Sequence, residues 1–527
     1  MTQASPTRDP VRRRGAWPFD GSRLGAVSVL VIVVVLGLLL RAFIAGFLLR
    51  SSGFRIDIGD FTAWAHRLAT GGPGAFYAPD YFSDYPPGYL YVLWGVGTLG
   101  DLLRPVFGTD VTSGLVKIPG ILADGGVAVL LFLFCRRFLD GRLGRSGEVL
   151  GLAAAAIYLF NPGTIFNSAV WGQVDSVGAL AILGTLYFLA AGWTELAALG
   201  AIIALLIKFQ YGFLIPIVAV VGLRRHLFGR SSDPEHDGRP DGVRVLTSLA
   251  AGVGSLVVLI APFNLSVWAP NDPTHSLVGK FVDAANTYHG LSINAFNIWR
   301  NPWSGLGDTN QWGCDGPSLP VETSCHGGVA FLLGGQEVTW QLIGLILFAV
   351  VAVLALWQVA RRDDTRGILL ATLLLAVAFF VLPTRVHERY LFPALALAAP
   401  LAVPFVRRNW RWATLYAVLS ISFFLNVYWT YTLDWSYVAG PPLNPGVDGL
   451  PMARDPLLAV TLLSDRGIYF LAALITLALL WLVHRSYVVG MAGDAPRTPV
   501  VDLQPAAPIE PDAPAAALAP VPFGARF

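Results

Sequence analysis

Apolar residues run along this chain in long continuous stretches, and the polar residues collect between them. Strict alternation, the mark of half-buried strands, is not the dominant pattern; unbroken apolar runs read as helices that are apolar all round. The cleanest are Leu24–Leu40, Leu246–Ala261, Leu342–Trp357 and Gly467–Val483, near the roughly 20 residues needed to cross hydrocarbon. Leu24–Leu49 is too long for a removable signal sequence, and no small-residue cleavage site follows it, so it is expected to remain as the first helix.

Composition strengthens this reading. The chain is 55% hydrophobic and 13% charged, with a mean hydropathy of +0.60, which excludes an ordinary soluble globular protein. The expected class is an all-α, multi-pass membrane protein.

The net charge of +2 says little, but arginine placement says more. Arginines gather at Arg12–Arg14, at Arg136, Arg137, Arg142 and Arg145, at Arg224, Arg225 and Arg230, at Arg361, Arg362 and Arg366, at Arg407, Arg408 and Arg411, and at Arg485. Positively charged loops stay in the cytoplasm. Threading the apolar runs between these clusters gives about 12 spans with both termini inside: 24–49, 113–135, 149–162, 176–192, 196–207, 210–223, 245–263, 339–360, 367–383, 390–406, 412–432 and 467–484. Leu90–Leu103 would invert the cluster at Arg136–Arg145 if it crossed, so it is expected as a hairpin or interfacial helix. The pieces flanking Lys208 read as a broken hairpin.

The implied organisation is a cytoplasmic tail (1–23), a transmembrane module with two outer loops (24–263), a large outer loop (264–338), a second transmembrane module (339–487) and a Pro/Ala-rich tail (488–527) unable to bury a core. Polar chemistry concentrates in the outer segments Arg50–Val111, Gly163–Asp175, Asn264–Glu337 and Leu433–Arg466. Cys314 and Cys325 share the third of these, in a compartment that permits disulfides, and are expected to be bonded. Cys135 is expected only to pack. Neither a P-loop nor a Gly-rich dinucleotide fingerprint occurs, and nothing points to nucleic acid.

Ionisable residues near helix ends mark candidate sites, because charge at membrane depth is costly. They are Asp57 and Asp60 after the first span, Lys117 and Asp124 in the second, Asp175 opening the fourth, Lys208 at the break, and "TRVHERY" (Thr384–Tyr390). Plain structural roles compete with function. Lys117 and Asp124, seven residues apart on one helical face, are expected to neutralise each other. Asp60 fits either a base or a helix N-cap. Asp84 precedes "YPPG" and could serve only that turn. Two arginines and a histidine within "RVHER" make a phosphate pocket.

The ordered motifs "GDFTAWAHRL", "DYPPG", "KIPGILAD", "NPGTIFNSAVWGQVDSVG", "KFQYGFLIP" and "RVHERYLFP", spanning Gly59 to about Pro393, resemble those of the GT-C membrane glycosyltransferases, most closely the branch that uses dolichyl-phosphate-glucose. The resemblance implies a GT-C-like helical bundle with large outer loops, Asp60 as catalytic base, His387 near the lipid phosphate with Glu388 beside it, and Lys208 before the broken helix. Arg389 stands where the eukaryotic enzymes usually have lysine, and "WGQVDSVG" departs from their second-loop sequence, leaving sugar and acceptor open.

The residues support that chemistry on their own terms. A polyprenyl-phosphate sugar leaves a phosphate monoester of growing negative charge, which Arg385, His387, Arg389 and Lys208 are placed to stabilise. A carboxylate must take the acceptor proton, and Asp60 is the choice, with Asp57 next. Asp57, Asp84, Tyr85, Trp171, Gln173, Asp175, Gln210 and Glu388 are expected to line the donor and acceptor pocket. Attack opposite the phosphate inverts the anomeric centre. Trp299, Trp303 and Trp312 offer sugar-stacking faces, although interfacial anchoring is their commoner use. No "DxD" pair occurs in the first two outer loops, so neither metal nor other cofactor is expected. Arginine outnumbers lysine 33 to 3, as in GC-rich bacterial genes, where the carrier would be undecaprenyl or decaprenyl phosphate. The expected partners are that donor, a lipid, glycan or protein acceptor, and membrane lipid, with the active site on the outer face of the cell membrane. A transporter or flippase is the rival reading, weakened by the lack of repeated halves; a non-catalytic scaffold explains the clustered charges less well.

Overall fold

A computed structural model describes residues 23–49, 52–139, 146–232, 240–288, 290–300, 329–403, 410–433 and 454–494. Helices dominate. They are α1 (Arg23–Phe43), α2 (Arg55–Gly71), α3 (Pro87–Phe107), α4 (Ile118–Phe138), α5 (Gly147–Leu159), α6 (Asp175–Ala190), α7 (Thr194–Ile207), α8 (Leu214–Gly222), α9 (Gly242–Ile260), α10 (Leu277–Asn286), α11 (Trp340–Arg361), α12 (Thr365–Val381), α13 (Phe392–Ala402), α14 (Trp410–Tyr431) and α15 (Asp465–Ala492), with shorter helical turns between them. One antiparallel hairpin, β1 (Val329–Leu333) with β2 (Gln336–Thr339), departs from the all-α expectation. Its turn is Gly334-Gly335, both with positive φ, the backbone that tight hairpin turns demand.

A helix falls on each of the twelve anticipated spans. Six are long and apolar enough to cross a bilayer unaided, and α5 joined to Pro162–Trp171 across a 53° bend makes a seventh. The apolar helices α6, α7 and α12 are shorter; α6 and α12 are mostly buried among neighbouring helices, whereas α7 keeps Leu196 and Ile203 exposed. Every described residue of α13 is buried, whereas α1, α9 and α11 keep most of their apolar surface exposed.

Two expectations change and a third is narrowed. The second outer segment is not an open loop: Pro162–Trp171 continues α5 after the bend, which carries Trp171 and Gln173 to the bundle end. Of the two forms expected for Leu90–Leu103, the hairpin is excluded: the stretch lies within one continuous helix, α3. That helix lies across one end of the bundle: Gly88 abuts the backbone of Leu206 and Ile207, Gly97 that of Ala65, and Gly100 the side chain of Thr112, while the Tyr91 hydroxyl donates to Leu259 O at 2.9 Å. Those partners close α7 and α9 and precede α4, so one end of the bundle holds them all. At Gly97 an added Cβ would lie 2.1 Å from Ala65 O, a contact only glycine allows. Finally, α15 runs on to Ala492, past the anticipated boundary at 487.

Charges inside the bundle are matched across helices. Arg41, fully buried, donates to Asp124 (2.7 Å), Ser168, Thr164 and the carbonyls of Gly37 and Leu159. Asp124 accepts in turn from Tyr158 and Ser176, each at 2.7 Å. The expected Lys117–Asp124 pair is therefore wrong. Lys117 donates instead to the Ser52 carbonyl and hydroxyl and toward Ala169 O. Sequence spacing placed the two on one face, but a buried charge takes whichever partner a neighbouring helix brings closest.

Candidate active site

Chain geometry first sets the carboxylates. Phe54 is the N-cap of α2 and Asp57 lies in the first turn. Asp60 is one turn further in and cannot be a cap. One oxygen of Asp57 is engaged: its Oδ2 accepts from Trp171 Nε1 at 2.5 Å and Gln173 Nε2 at 2.6 Å and faces an Arg389 nitrogen at 3.4 Å. The Trp171 loop reaches it because Gly172 adopts φ +89°, and an added Cβ there would sit 2.6 Å from Ile58 Cδ1. The Phe54 ring stacks on Trp171 at 4.3 Å, fixing α2 against that loop.

Asp60, half-buried, has no hydrogen bond or ion pair among the described residues. Burial, then the negative charges of Asp57 and Asp84, push its carboxyl up to about 7. A carboxylate poised near neutrality is suited to accept a proton. Asp84, at the "DYPPG" turn, is also raised, by burial first and by Asp57, against the pull of Arg389 and Lys208.

Opposite these carboxylates stand the cations. The helix breaks at Lys208, whose backbone is extended, and a short 3-10 turn (Phe209–Phe213) precedes α8. Lys208 Nζ is 2.8 Å from Asp175 Oδ1 and lies over the rings of Tyr390 (5.2 Å) and Tyr85 (5.8 Å). Tyr211 shares the same Asp175 oxygen at 3.2 Å. In "RVHER" the two arginines diverge. Arg385, at φ +62°, donates to Ala285 O (2.6 Å) and Asn286 Oδ1 (3.0 Å), tying α10 to the site. Arg389 turns the other way, to Glu388 at 2.7 Å and Asp57, with its guanidinium 5.2 Å over Trp171. His387 is held between them by backbone bridges to Ile293 and Asn294 and by the Tyr288 ring at 4.8 Å. Burial and the nearby Arg389 and Lys208 charges hold its imidazole well below the usual range. It enters the site neutral, a hydrogen-bonding group and not the cation anticipated from sequence.

A cavity of about 560 Å³ opens here. Its head is formed by Asp84, Tyr85, Lys208, Gln210, Arg385 and His387, and its body by apolar side chains of α7, α8, α11 and α12 such as Leu205, Ile215, Leu345 and Phe379. Arg389, Asp57, Asp60, Asp175, Trp171, Gln173 and Glu388 do not line it; they stand behind its head, linked through Tyr85, Lys208 and Asp84. Several buried polar atoms have no hydrogen-bond partner among the described residues: Tyr85 Oη, Gln210 Oε1, Asp175 Oδ2 and Arg389 Nε. Orphaned donors and acceptors around one cavity call for a polar occupant.

The structure also shows what sequence reasoning overlooked. Tyr288 and Tyr390 line the head, and Arg41 supplies the partner for Asp124. A lone arginine inside an apolar run was the available signal, since such a charge must be paired. Trp299 is buried, donates from Nε1 to Leu382 O at 2.7 Å and packs on Trp340, so it is no sugar platform. Trp303, Trp312, Cys314 and Cys325 lie outside the described residues.

No known family profile matches this chain, and no curated protein matches it. Among solved structures it is similar to ArnT from Cupriavidus metallidurans bound to undecaprenyl phosphate, with a TM-score of 0.44 and 14% sequence identity over 89% of this chain and 77% of that one.

Proposed function

We propose that the protein is a GT-C-type glycosyltransferase that moves a sugar from a polyprenyl-phosphate donor to an acceptor hydroxyl, with inversion, at the outer face of the membrane. One observation carries the reading: a largely apolar cavity of about 560 Å³ has Lys208, His387 and Arg385 at its polar head, and the Asp60 carboxylate, with no hydrogen bond or ion pair among the described residues, lies near that head beside Asp57 and Asp84.

In this reading the prenyl chain lies along α7, α8, α11 and α12, and its phosphate meets Lys208 and the His387 imidazole. A cation and a hydrogen-bond donor aimed at the leaving phosphate stabilise the charge that develops there. Lys208 keeps Asp175 as counter-ion, so it is oriented before the donor arrives. The acceptor hydroxyl gives its proton to Asp60 as its oxygen bonds the anomeric carbon and the C–O bond to phosphate breaks. Arg389 does not join the phosphate set; clamped by Asp57 and Glu388, it fixes the wall between base and leaving group. Asp57, whose Oδ2 is held by Trp171, Gln173 and Arg389, positions Arg389 and Trp171 in this reading.

Purified protein given labelled polyprenyl-phosphate sugars should consume one of them, and Asp60→Asn should abolish transfer while donor binding persists. Donor binding without transfer in the wild type, with net movement of lipid between leaflets of a vesicle, would instead establish the flippase reading.

A further inference from the structure

At the end of the bundle away from Asp60, the turn between α11 and α12 meets α13, α14 and α15 around a cavity of about 190 Å³, lined by Arg362, Asp364, Arg366, Gly367, Leu370, Leu401, Trp412, Arg485 and Val489. Three guanidiniums face one carboxylate. Asp364 is already committed: it accepts from Arg362 at 2.8 Å and caps α12 through Gly367 N at 2.7 Å. The Nε of Arg485 is buried and makes no hydrogen bond among the described residues. That buried Arg485 donor, on α15, has no partner among the described residues and meets Arg362 and Arg366, which flank the α11–α12 turn, across the cavity. It contrasts with the neighbouring Arg224 and Arg225, which share Asp363 at 3.0 and 2.6 Å.

We propose that this cavity binds the phosphate of an anionic phospholipid in the leaflet opposite the candidate active site. Guanidinium forks match phosphate oxygens in geometry and charge, and basic pockets between transmembrane helices are a recognised form of anionic headgroup site. The remaining walls fix the source of the phosphate as lipid. Leu370, Leu401 and Val489 are apolar, and Trp412, edge-on to Trp481 at 4.8 Å, belongs to the residue type that sits at headgroup depth. Outside, Trp410, Tyr487 and Val488 present exposed apolar surface where acyl chains would lie. The volume holds a phosphodiester head and leaves the chains outside. Occupied, the site would tie the α11–α12 turn to α14 and α15. It is independent of the glycosyltransferase reading.

The test is native mass spectrometry of the full-length detergent-purified protein titrated with phosphatidylglycerol, phosphatidylcholine or inorganic phosphate. Phosphatidylglycerol should give a single tight adduct, phosphatidylcholine of equal chain length a much weaker one, and millimolar inorganic phosphate should leave the lipid in place. Arg485→Ala should weaken the lipid adduct on the order of tenfold or more, the loss expected for a hydrogen bond to a charged group, and Arg485→Lys should restore part of it, because charge returns without the fork. Equal retention of the two lipids, or an unchanged adduct in Arg485→Ala, would overturn the proposal. Displacement of lipid by inorganic phosphate would reassign the site to a soluble anion. If Arg485→Ala fails to fold, Arg366→Gln takes its place, and the wild-type comparison of the two lipids decides by itself.

Discussion

Two clusters of charge in this protein look alike in the sequence and behave oppositely in space. Around Arg41 and Asp124 nearly every polar atom has a partner: the guanidinium meets five acceptors and the carboxylate three donors. Around Lys208 and Asp60, at the end of the bundle, Asp60 and the buried atoms Tyr85 Oη, Gln210 Oε1, Asp175 Oδ2 and Arg389 Nε have no hydrogen-bond partner among the described residues. A satisfied buried pair stabilises a single arrangement of helices; an unsatisfied group is tolerated where something else completes it. Satisfaction, not burial or charge, separates framework from site.

The largest expected effect falls on Asp60. Asp60→Asn keeps the side chain's size and, since this position is no cap, leaves α2 intact, so transfer should fall by roughly two to four orders of magnitude with folding unchanged. Near-normal transfer in a folded Asp60→Asn variant would return the base role to Asp57. The framework cluster should respond in the opposite currency. Asp124→Leu strands the Arg41 charge and should cost about 3–5 kcal/mol, seen as a collapse of folded yield and of melting temperature, without any selective change in donor affinity. If Asp124→Leu instead folds well but loses activity, the division between framework and site fails.

A third test uses pH. Because the Asp60 carboxyl is pushed up to about 7, its proton-accepting form grows as pH rises, so transfer should increase from pH 5 through 7 and level off about one pH unit above that value. Removing the Asp57 charge with Asp57→Asn takes away one cause of the raised value, and the rising limb should move to lower pH. A profile that stays flat from pH 5 to 8 would exclude Asp60 as the titrating base. The smallest effects belong to the cations. Lys208→Met should weaken donor binding tenfold or more, in line with loss of a charged hydrogen bond, whereas Arg385→Ala, whose guanidinium holds Ala285 and Asn286, should weaken it less. Equal losses, measured by donor titration, would put Arg385 on the phosphate beside Lys208.

Much of this was legible in the chain. Twelve apolar runs, placed by arginine clusters, all became helices, because hydrocarbon permits little else. Asp60, Lys208 and His387 were visible as charges where apolar pattern breaks. What stayed hidden depended on directions that sequence does not encode. Arg385 and Arg389 are four residues apart, but the positive φ at Arg385 sends the two side chains to opposite sides of the loop. The partner of Asp124 lies 83 residues away, beyond any spacing rule. His387 loses its charge through burial, a property of the folded environment and not of the motif. The 53° bend after Leu159, which turns an expected loop into the helix delivering Trp171, follows from Asn161 and Pro162, residues that could equally have ended the chain's crossing.

The Arg41–Asp124 pair also bears on how the protein is made. An arginine within a membrane helix costs about 2.5–3.5 kcal/mol on insertion scales, a cost that the valines and leucines of α1 offset while the helix is alone. Its counter-charge is synthesised 83 residues later, and the carbonyl of Leu159 and hydroxyl of Thr164 that complete its bonding come later still. During synthesis α1 therefore waits in the bilayer with an unmet charge, free to slide toward the surface, and it is fixed in depth only when α4 and α5 arrive. Helix α1 is thus made well before the partners that fix its depth, and quality control of this protein would have its natural checkpoint when they arrive.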